Sequence, residues 1–145
     1  MEGEQSINAL LGIFKETKSM DLKEKLIFSF SQHNSDKAFN KLKEIALGDK
    51  NEKLQEKAIF WLSQSGKKEA LDILKKLLAG STSESLLEKA VFALAQLPEK
   101  KGLPLLIKIA KSHKNPNIRK KAIFWLGQSQ DPEAVKVLEE IINEK

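Results

Sequence analysis

The stretch KAIFWLSQS at residues 57–65 recurs as KAIFWLGQS at residues 121–129, 64 residues further along the chain. Halfway between them, and again 32 residues before the first copy, stand related segments with the same phenylalanine and glutamine positions. The phenylalanines are Phe28, Phe60, Phe92 and Phe124, and the glutamines are Gln32, Gln64, Gln96 and Gln128. A constant 32-residue period without insertions indicates four structural repeats.

Each repeat predicts two amphipathic helices, which we call helix A and helix B. In the second repeat, the apolar stripe of helix A comprises Leu54, Ala58, Leu62 and Ser65. A residue suited to an N-cap stands before helix A in every repeat: Ser19, Asn51, Ser83 and Asn115. Helical hairpins of this size cannot bury both apolar faces alone, so the sequence predicts an all-α fold, a right-handed α-solenoid of stacked hairpins.

Composition excludes several other classes of protein. The 145 residues are 41% hydrophobic and 31% charged, which favours one soluble globular domain over a disordered chain. No apolar run is long enough to cross a membrane, so we expect no membrane partner. Cysteine is absent, which rules out disulfides and thiolate chemistry. The net charge of +5 is too small to require a nucleic-acid partner by itself.

The repeats resemble HEAT repeats, of the short kind named after phycobilisome lyases. The resemblance rests on KAIFWLSQS at 57–65, AVFALAQL at 90–97 and KAIFWLGQS at 121–129, with Asp131-Pro132-Glu133-Ala134 behind the last. These segments look like the C-terminal arrays of bacterial HEAT-repeat proteins. The resemblance implies a helical scaffold whose concave helix layer grips a protein or peptide. The first repeat departs from the pattern, because Ser29 and Phe30 replace the Trp61-Leu62 pair.

The period also predicts the domain organisation. We expect a single HEAT-repeat domain over residues 1–145, with repeats at about 19–48, 51–80, 83–112 and 115–144 and a half repeat at 6–16. That lone helix B is either a natural cap or the sign of a longer array, and such regular spacing is also compatible with a designed consensus. We expect a monomer. The compartment stays open: cytoplasmic, or exported if the chain belongs to a longer precursor.

Catalytic chemistry finds no support in the sequence. His33 and His113 lie far apart in predicted loops, outside any metal-ligand spacing, and we expect both to be solvated. No phosphate-binding glycine loop and no nucleophile elbow is present. We therefore predict no enzyme activity, no metal and no cofactor.

The four repeated phenylalanines are predicted to lie on the solvent-facing side of the helices A. At about 100° per residue, Phe60 projects nearly opposite the core stripe of helix A, and Lys57 and Gln64 flank it. We call the repeated set the Lys/Phe/Gln ladder: Lys25, Phe28, Gln32, Lys57, Phe60, Gln64, Lys89, Phe92, Gln96, Lys121, Phe124 and Gln128. It predicts a binding surface for a protein or peptide. The alternative is that each ring packs between repeats. Trp61 and Trp125, beside the core stripe, are expected to be structural.

A second candidate surface is basic. We call it the basic ridge: Lys108, Lys111, Lys114, Arg119 and Lys120, which continues into Lys121. It could bind phosphates, but no aromatic residue is interleaved in it to stack on a base. Our leading hypothesis is thus a non-enzymatic protein- or peptide-binding scaffold. Nucleic-acid binding through the ridge, or a structural spacer in a larger protein, are the alternatives.

Overall fold

The computed structural model describes residues 2–81 and 83–144, and this part of the chain folds into α-helices and one short 3₁₀ turn, with no strand. The helices are α1 (Glu2–Glu16), α2 (Met20–Gln32), α3 (Asp36–Gly48), α4 (Glu52–Ser63), α5 (Glu69–Gly80), α6 (Glu84–Gln96), α7 (Leu103–Ser112), α8 (Pro116–Ser129) and α9 (Pro132–Asn143). The even-numbered helices are the predicted helices A, and the odd-numbered ones are the helices B. The predicted all-α class is confirmed.

Side-chain caps fix where the helices A begin. Ser19 accepts a hydrogen bond from the amide of Leu22 at 3.1 Å, and Asn51 accepts one from Leu54 at the same distance. Ser83 and Asn115 cap α6 and α8 in the same way. Each cap satisfies one backbone donor that the first helical turn leaves unpaired. The four predicted N-caps are therefore confirmed.

The chain divides into two compact units, Met1–Ile73 (unit 1) and Leu74–Lys145 (unit 2). In unit 1, α2 packs against α1, α3 and α4, and α3 packs against α4. Its core includes Ile27, Leu42 and Leu62, none more than 2% exposed. The single domain over residues 1–145 stays a prediction.

The first repeat of unit 1 is completed by α1, which begins four residues earlier than the predicted half repeat at 6–16. Ile7 and Phe14 of α1 are buried. The Phe14 ring lies edge-on to Phe30, with their centroids 5.8 Å apart. Phe30, at which the first repeat departs from the pattern of the others, is thus a buried core residue that α1 covers.

Unit 2 is built around α8, which packs against α6, α7 and α9. Leu94, Ile118 and Leu126 are almost fully buried there. Two ion pairs connect its elements: Lys100 with Asp131 at 2.5 Å, and Lys111 with Glu140 at 2.9 Å. Apolar burial supplies most of the stability of the unit, and the pair of Lys111 and Glu140, in which both side chains are partly exposed, contributes little.

One expected core position is wrong. Helix α4 ends at Ser63, so Ser65 lies beyond the helix and is exposed. Ser63 is buried instead, and its hydroxyl donates to the carbonyl of Phe60 at 2.6 Å. This hydrogen bond gives the buried Ser63 hydroxyl a partner within the protein, so that it needs no water molecule.

Candidate protein-binding surface

Three of the four ladder phenylalanines are exposed. Phe28 is 47% accessible, Phe60 is 39% and Phe124 is 54%, whereas Phe92 is half-buried. Burying an exposed apolar ring against a partner is energetically favourable, because it removes apolar area from water. Groups of exposed rings therefore mark contact surfaces. The structure places the four phenylalanines on helices A: two in unit 1 and two in unit 2.

A tryptophan lies between the two phenylalanines of each unit. In unit 1 the Trp61 ring has its centroid 5.0 Å from both Phe28 and Phe60. In unit 2 the Trp125 ring lies 5.1 Å from Phe92 and 5.0 Å from Phe124. All four contacts are edge-to-face, the arrangement that aromatic quadrupoles favour. Each unit therefore presents an aromatic cluster of three rings rather than two separate phenylalanines.

Both tryptophans were expected to be structural only, and their place between the phenylalanines was not predicted. The position after each phenylalanine alternates between small and large: Ser29, Trp61, Ala93 and Trp125. This alternation has twice the period of the repeat and agrees with the pairing of rings inside each unit. It is the signal from which the clusters could have been predicted.

The ladder lysines are exposed, and most have no acidic partner. Lys25 forms an ion pair with Asp21 at 3.1 Å, one turn earlier in α2. Within the described ranges, Lys57, Lys89 and Lys121 form no ion pair. Their ammonium groups are free to attract an acidic partner across the solvent.

The ladder glutamines differ between the units. In unit 1, the side-chain amide of Gln32 donates to Ser31 at 3.2 Å, and that of Gln64 donates to Ser63 at 3.4 Å. The preceding residues in unit 2 are Ala95 and Gly127, which offer no hydroxyl. In residues 2–81 and 83–144, the side-chain amides of Gln96 and Gln128 form no hydrogen bond. The amides of unit 2 can therefore serve a ligand.

A groove of about 530 Å³ lies between α6 and α8 of unit 2. Glu84 and Glu88 form one side, and Lys120 and Lys121 form the other. Phe124 and Trp125 also line this groove, so the aromatic cluster borders it. In unit 1, an ion pair between Glu24 and Lys53 at 3.3 Å spans the corresponding helices α2 and α4. The charges between α6 and α8 of unit 2 are therefore arranged differently from those between α2 and α4 of unit 1.

The residues of the basic ridge differ in their surroundings. Lys108 and Lys114 line a groove beside α5 and α7, whereas Lys120 lines the groove with Phe124. The other two residues are engaged, because Lys111 pairs with Glu140 and Arg119 donates to the carbonyl of His113 at 2.5 Å. The hydrogen bond from Lys111 also lowers the pKa of Glu140 below its ordinary value.

Neither histidine belongs to a metal-binding cluster. His33 and His113 lie in loops as expected, but both are half-buried rather than solvated. The Nδ1 atom of His33 is 3.1 Å from the Ser35 hydroxyl, and Nδ1 of His113 accepts from the amide of Asn115 at 3.0 Å. The part of the chain that the structure describes holds no group of three metal-ligating side chains and no helix that could span a membrane.

Two family models match this chain. Residues 77–145 match the model described as HEAT repeats, and residues 54–80 match the PBS lyase HEAT-like repeat. No match was found among curated proteins. HEAT repeats form helical solenoids that generally serve as non-enzymatic scaffolds for protein interaction, and the lyase in the second description names a repeat type, not an activity. With its 32-residue hairpins, capped helices A and these two adjoining matches, the chain belongs to the HEAT-repeat proteins.

Proposed function

We propose that this chain is a non-enzymatic scaffold that binds a protein or peptide through the Lys/Phe/Gln ladder. The observation that supports this proposal is the exposure of three rings on the helices A: Phe28 on α2, Phe60 on α4 and Phe124 on α8. Aromatic anchors often dominate the energy of protein interfaces, because burying a ring removes a large apolar area from water.

The polar members of the ladder give the surface its specificity. The amides of Gln96 and Gln128 can each donate to and accept from a partner backbone. The unpaired ammonium groups of Lys57, Lys89 and Lys121 favour acidic side chains on the partner. We therefore expect a partner segment with apolar side chains for the rings and a net negative charge.

Selection from a library of displayed short linear peptides on the immobilised chain tests this proposal. We expect enriched peptides to be acidic and to contain large apolar residues. Phe28→Ala combined with Phe60→Ala should weaken a peptide bound to the ladder of unit 1 at least tenfold, and Phe92→Ala combined with Phe124→Ala should do the same for a peptide bound to the ladder of unit 2. Val135→Ala is the matched control, because Val135 is 47% exposed on α9, outside the ladder. Equal binding by all these variants would overturn the proposal.

A duplex DNA titration separates the ladder from the basic ridge. Phosphate binding that neutralises several charges should fall by orders of magnitude between about 50 and 200 mM salt. Peptide binding anchored by phenylalanine should change much less. Strong, salt-sensitive DNA binding that Lys108→Ala and Lys114→Ala reduce would favour nucleic-acid binding instead.

A further inference from the structure

Unit 2 also contains a pocket of about 270 Å³, lined mostly by residues outside the ladder. It lies between the end of α6, the turn at residues 97–102, α7 and α8. Its apolar lining comprises Leu94, Leu97, Leu103, Leu106 and Trp125. An engineered cavity of about 150 Å³ holds a benzene molecule, so this pocket is large enough for a leucine, methionine or phenylalanine side chain.

The corresponding positions of unit 1 carry larger side chains. Sixty-four residues before Leu94 and Leu103 stand Phe30 and Phe39, both buried. Phe30 is covered by Phe14 of α1. A phenyl ring is bulkier than the leucine side chain, so the leucine pair leaves room in unit 2 that the rings would fill. The leucine pair therefore leaves more room at this place in unit 2 than the phenylalanine pair leaves in unit 1.

The rim of the pocket is polar and matches a peptide backbone. Gln96 and Gln128, the two ladder glutamines with unused amides, lie at its edge. The ion pair of Lys100 and Asp131 lies at the rim too. Both an acceptor and a donor are present on each amide, which is what a main-chain peptide group requires. A free hydrocarbon ligand would make no use of them.

We propose that this pocket takes one large apolar side chain of a bound peptide, while Gln96 and Gln128 hydrogen-bond to the peptide backbone on either side. The inference deepens the proposed function and rests on it. Because Trp125 lines both this pocket and the groove between α6 and α8, a peptide can contact the two together. The pocket would thus fix the register of the peptide on the ladder.

Peptides selected on the full chain test the assignment. We expect them to share one large apolar residue, and its replacement by alanine should weaken binding about 10- to 150-fold, the ratio expected when such a side chain is fully buried. Leu103→Phe, which installs the residue of unit 1, should weaken the same peptide to a similar extent. Leu94→Phe serves as a second variant in case the first unfolds, and thermal melting checks both.

The outcomes distinguish the pocket from the ladder. If Phe92→Ala combined with Phe124→Ala abolishes binding while both leucine variants bind normally, the pocket assignment is wrong and the ladder stands. If the leucine variants alone lose binding, the phenylalanines are not the anchors of the peptide, and the pocket with its two glutamines stands. Failure to select any peptide would overturn both. Benzene that changes the fluorescence of Trp125 in a Trp61→Phe background, without competing with a selected peptide, would identify a small-ligand pocket instead.

Discussion

Phe92 and Trp125 lie edge-to-face with their ring centroids 5.1 Å apart, and Phe28 and Trp61 repeat this contact at 5.0 Å exactly one pair of repeats earlier. In both cases the phenylalanine comes from one helix A and the tryptophan from the next. The rings therefore connect neighbouring helices and remain partly exposed, as the proposed binding surface requires. Their stability and binding contributions can be separated experimentally.

A double-mutant cycle should detect the contact between Phe28 and Trp61. Edge-to-face pairs contribute about 0.5–1.5 kcal/mol beyond the burial of area. We expect Phe28→Leu and Trp61→Leu together to cost less than the sum of the single variants by that amount, because the second change removes a contact already lost. Urea denaturation of the four proteins measures it. Additivity within about 0.3 kcal/mol would show that the rings do not interact in solution.

Neighbouring positions of α4 should differ sharply in their effect on stability. Leu62 is fully buried, so Leu62→Ala should cost about 2–5 kcal/mol through a cavity. Phe60 is 39% exposed and contacts Trp61, so Phe60→Ala should cost only about 1 kcal/mol. Denaturant midpoints compare the two. If Phe60→Ala costs as much as Leu62→Ala, the ring is a core residue and the ladder hypothesis fails.

The period predicted most of the fold because helix caps and core stripes are local properties. Asn51 caps α4 where the sequence places it, and Leu54 lies on the core side. The contact between Trp61 and Phe28 could not be derived in the same way. Helical spacing gives the angular position of a residue around its own helix, but not which residue of a neighbouring helix its side chain contacts. The pocket was missed for a similar reason. Its space depends on Leu94 and Leu103 together, nine residues apart on two helices.

Removing α1 should destabilise unit 1. Deletion of residues 1–17 takes away Ile7 and Phe14 and uncovers Phe30. Two or three large apolar side chains then lose their burial, for which we expect a loss of several kcal/mol, about 3–6. Thermal melting and urea denaturation of the shortened chain measure it. The matched control is Ile13→Ala, which should change little because Ile13 is 45% exposed. An unchanged midpoint after the deletion would contradict this account of α1.

Asp131 should make stability depend on pH. The hydrogen bond from Lys100, followed by that from the amide of Glu133, lowers the pKa of Asp131 below its ordinary value. Its contribution is therefore complete above the ordinary aspartate pKa of about 3.9 and is lost as the pH falls through the lowered value of the folded state. Asp131→Asn keeps a residue suited to the N-cap of α9 but removes the charge.

The comparison is made by measuring denaturant midpoints of the wild type and Asp131→Asn at neutral pH and again well below pH 4. We expect the wild type to be the more stable protein at neutral pH and the difference to disappear in acid. Lys100→Met should reduce the same difference, because it removes the first cause of the lowered pKa. A gap between wild type and Asp131→Asn that is the same at both pH values would contradict the ion pair.

Two glycines of unit 2 should respond in opposite directions to the same substitution. Gly102 precedes α7 at a close approach to α6, where an added Cβ would lie 2.1 Å from the carbonyl oxygen of Leu94. That oxygen belongs to the backbone and cannot rotate away, so Gly102→Ala must displace a helix. Gly127 lies within α8, and a Cβ there meets nothing within 4 Å.

We therefore expect Gly102→Ala to cost about 1–3 kcal/mol, as overpacking of a tight contact does. Gly127→Ala should stabilise the protein by about 0.5–1 kcal/mol, because alanine loses less conformational entropy than glycine when a helix forms. Urea denaturation of both variants decides it. Leu94 and the turn at residues 97–102 also line the pocket, so Gly102→Ala should weaken the binding of a pocket-bound peptide as well. If the variant is less stable but binds the peptide with the same affinity, the pocket does not depend on this close approach.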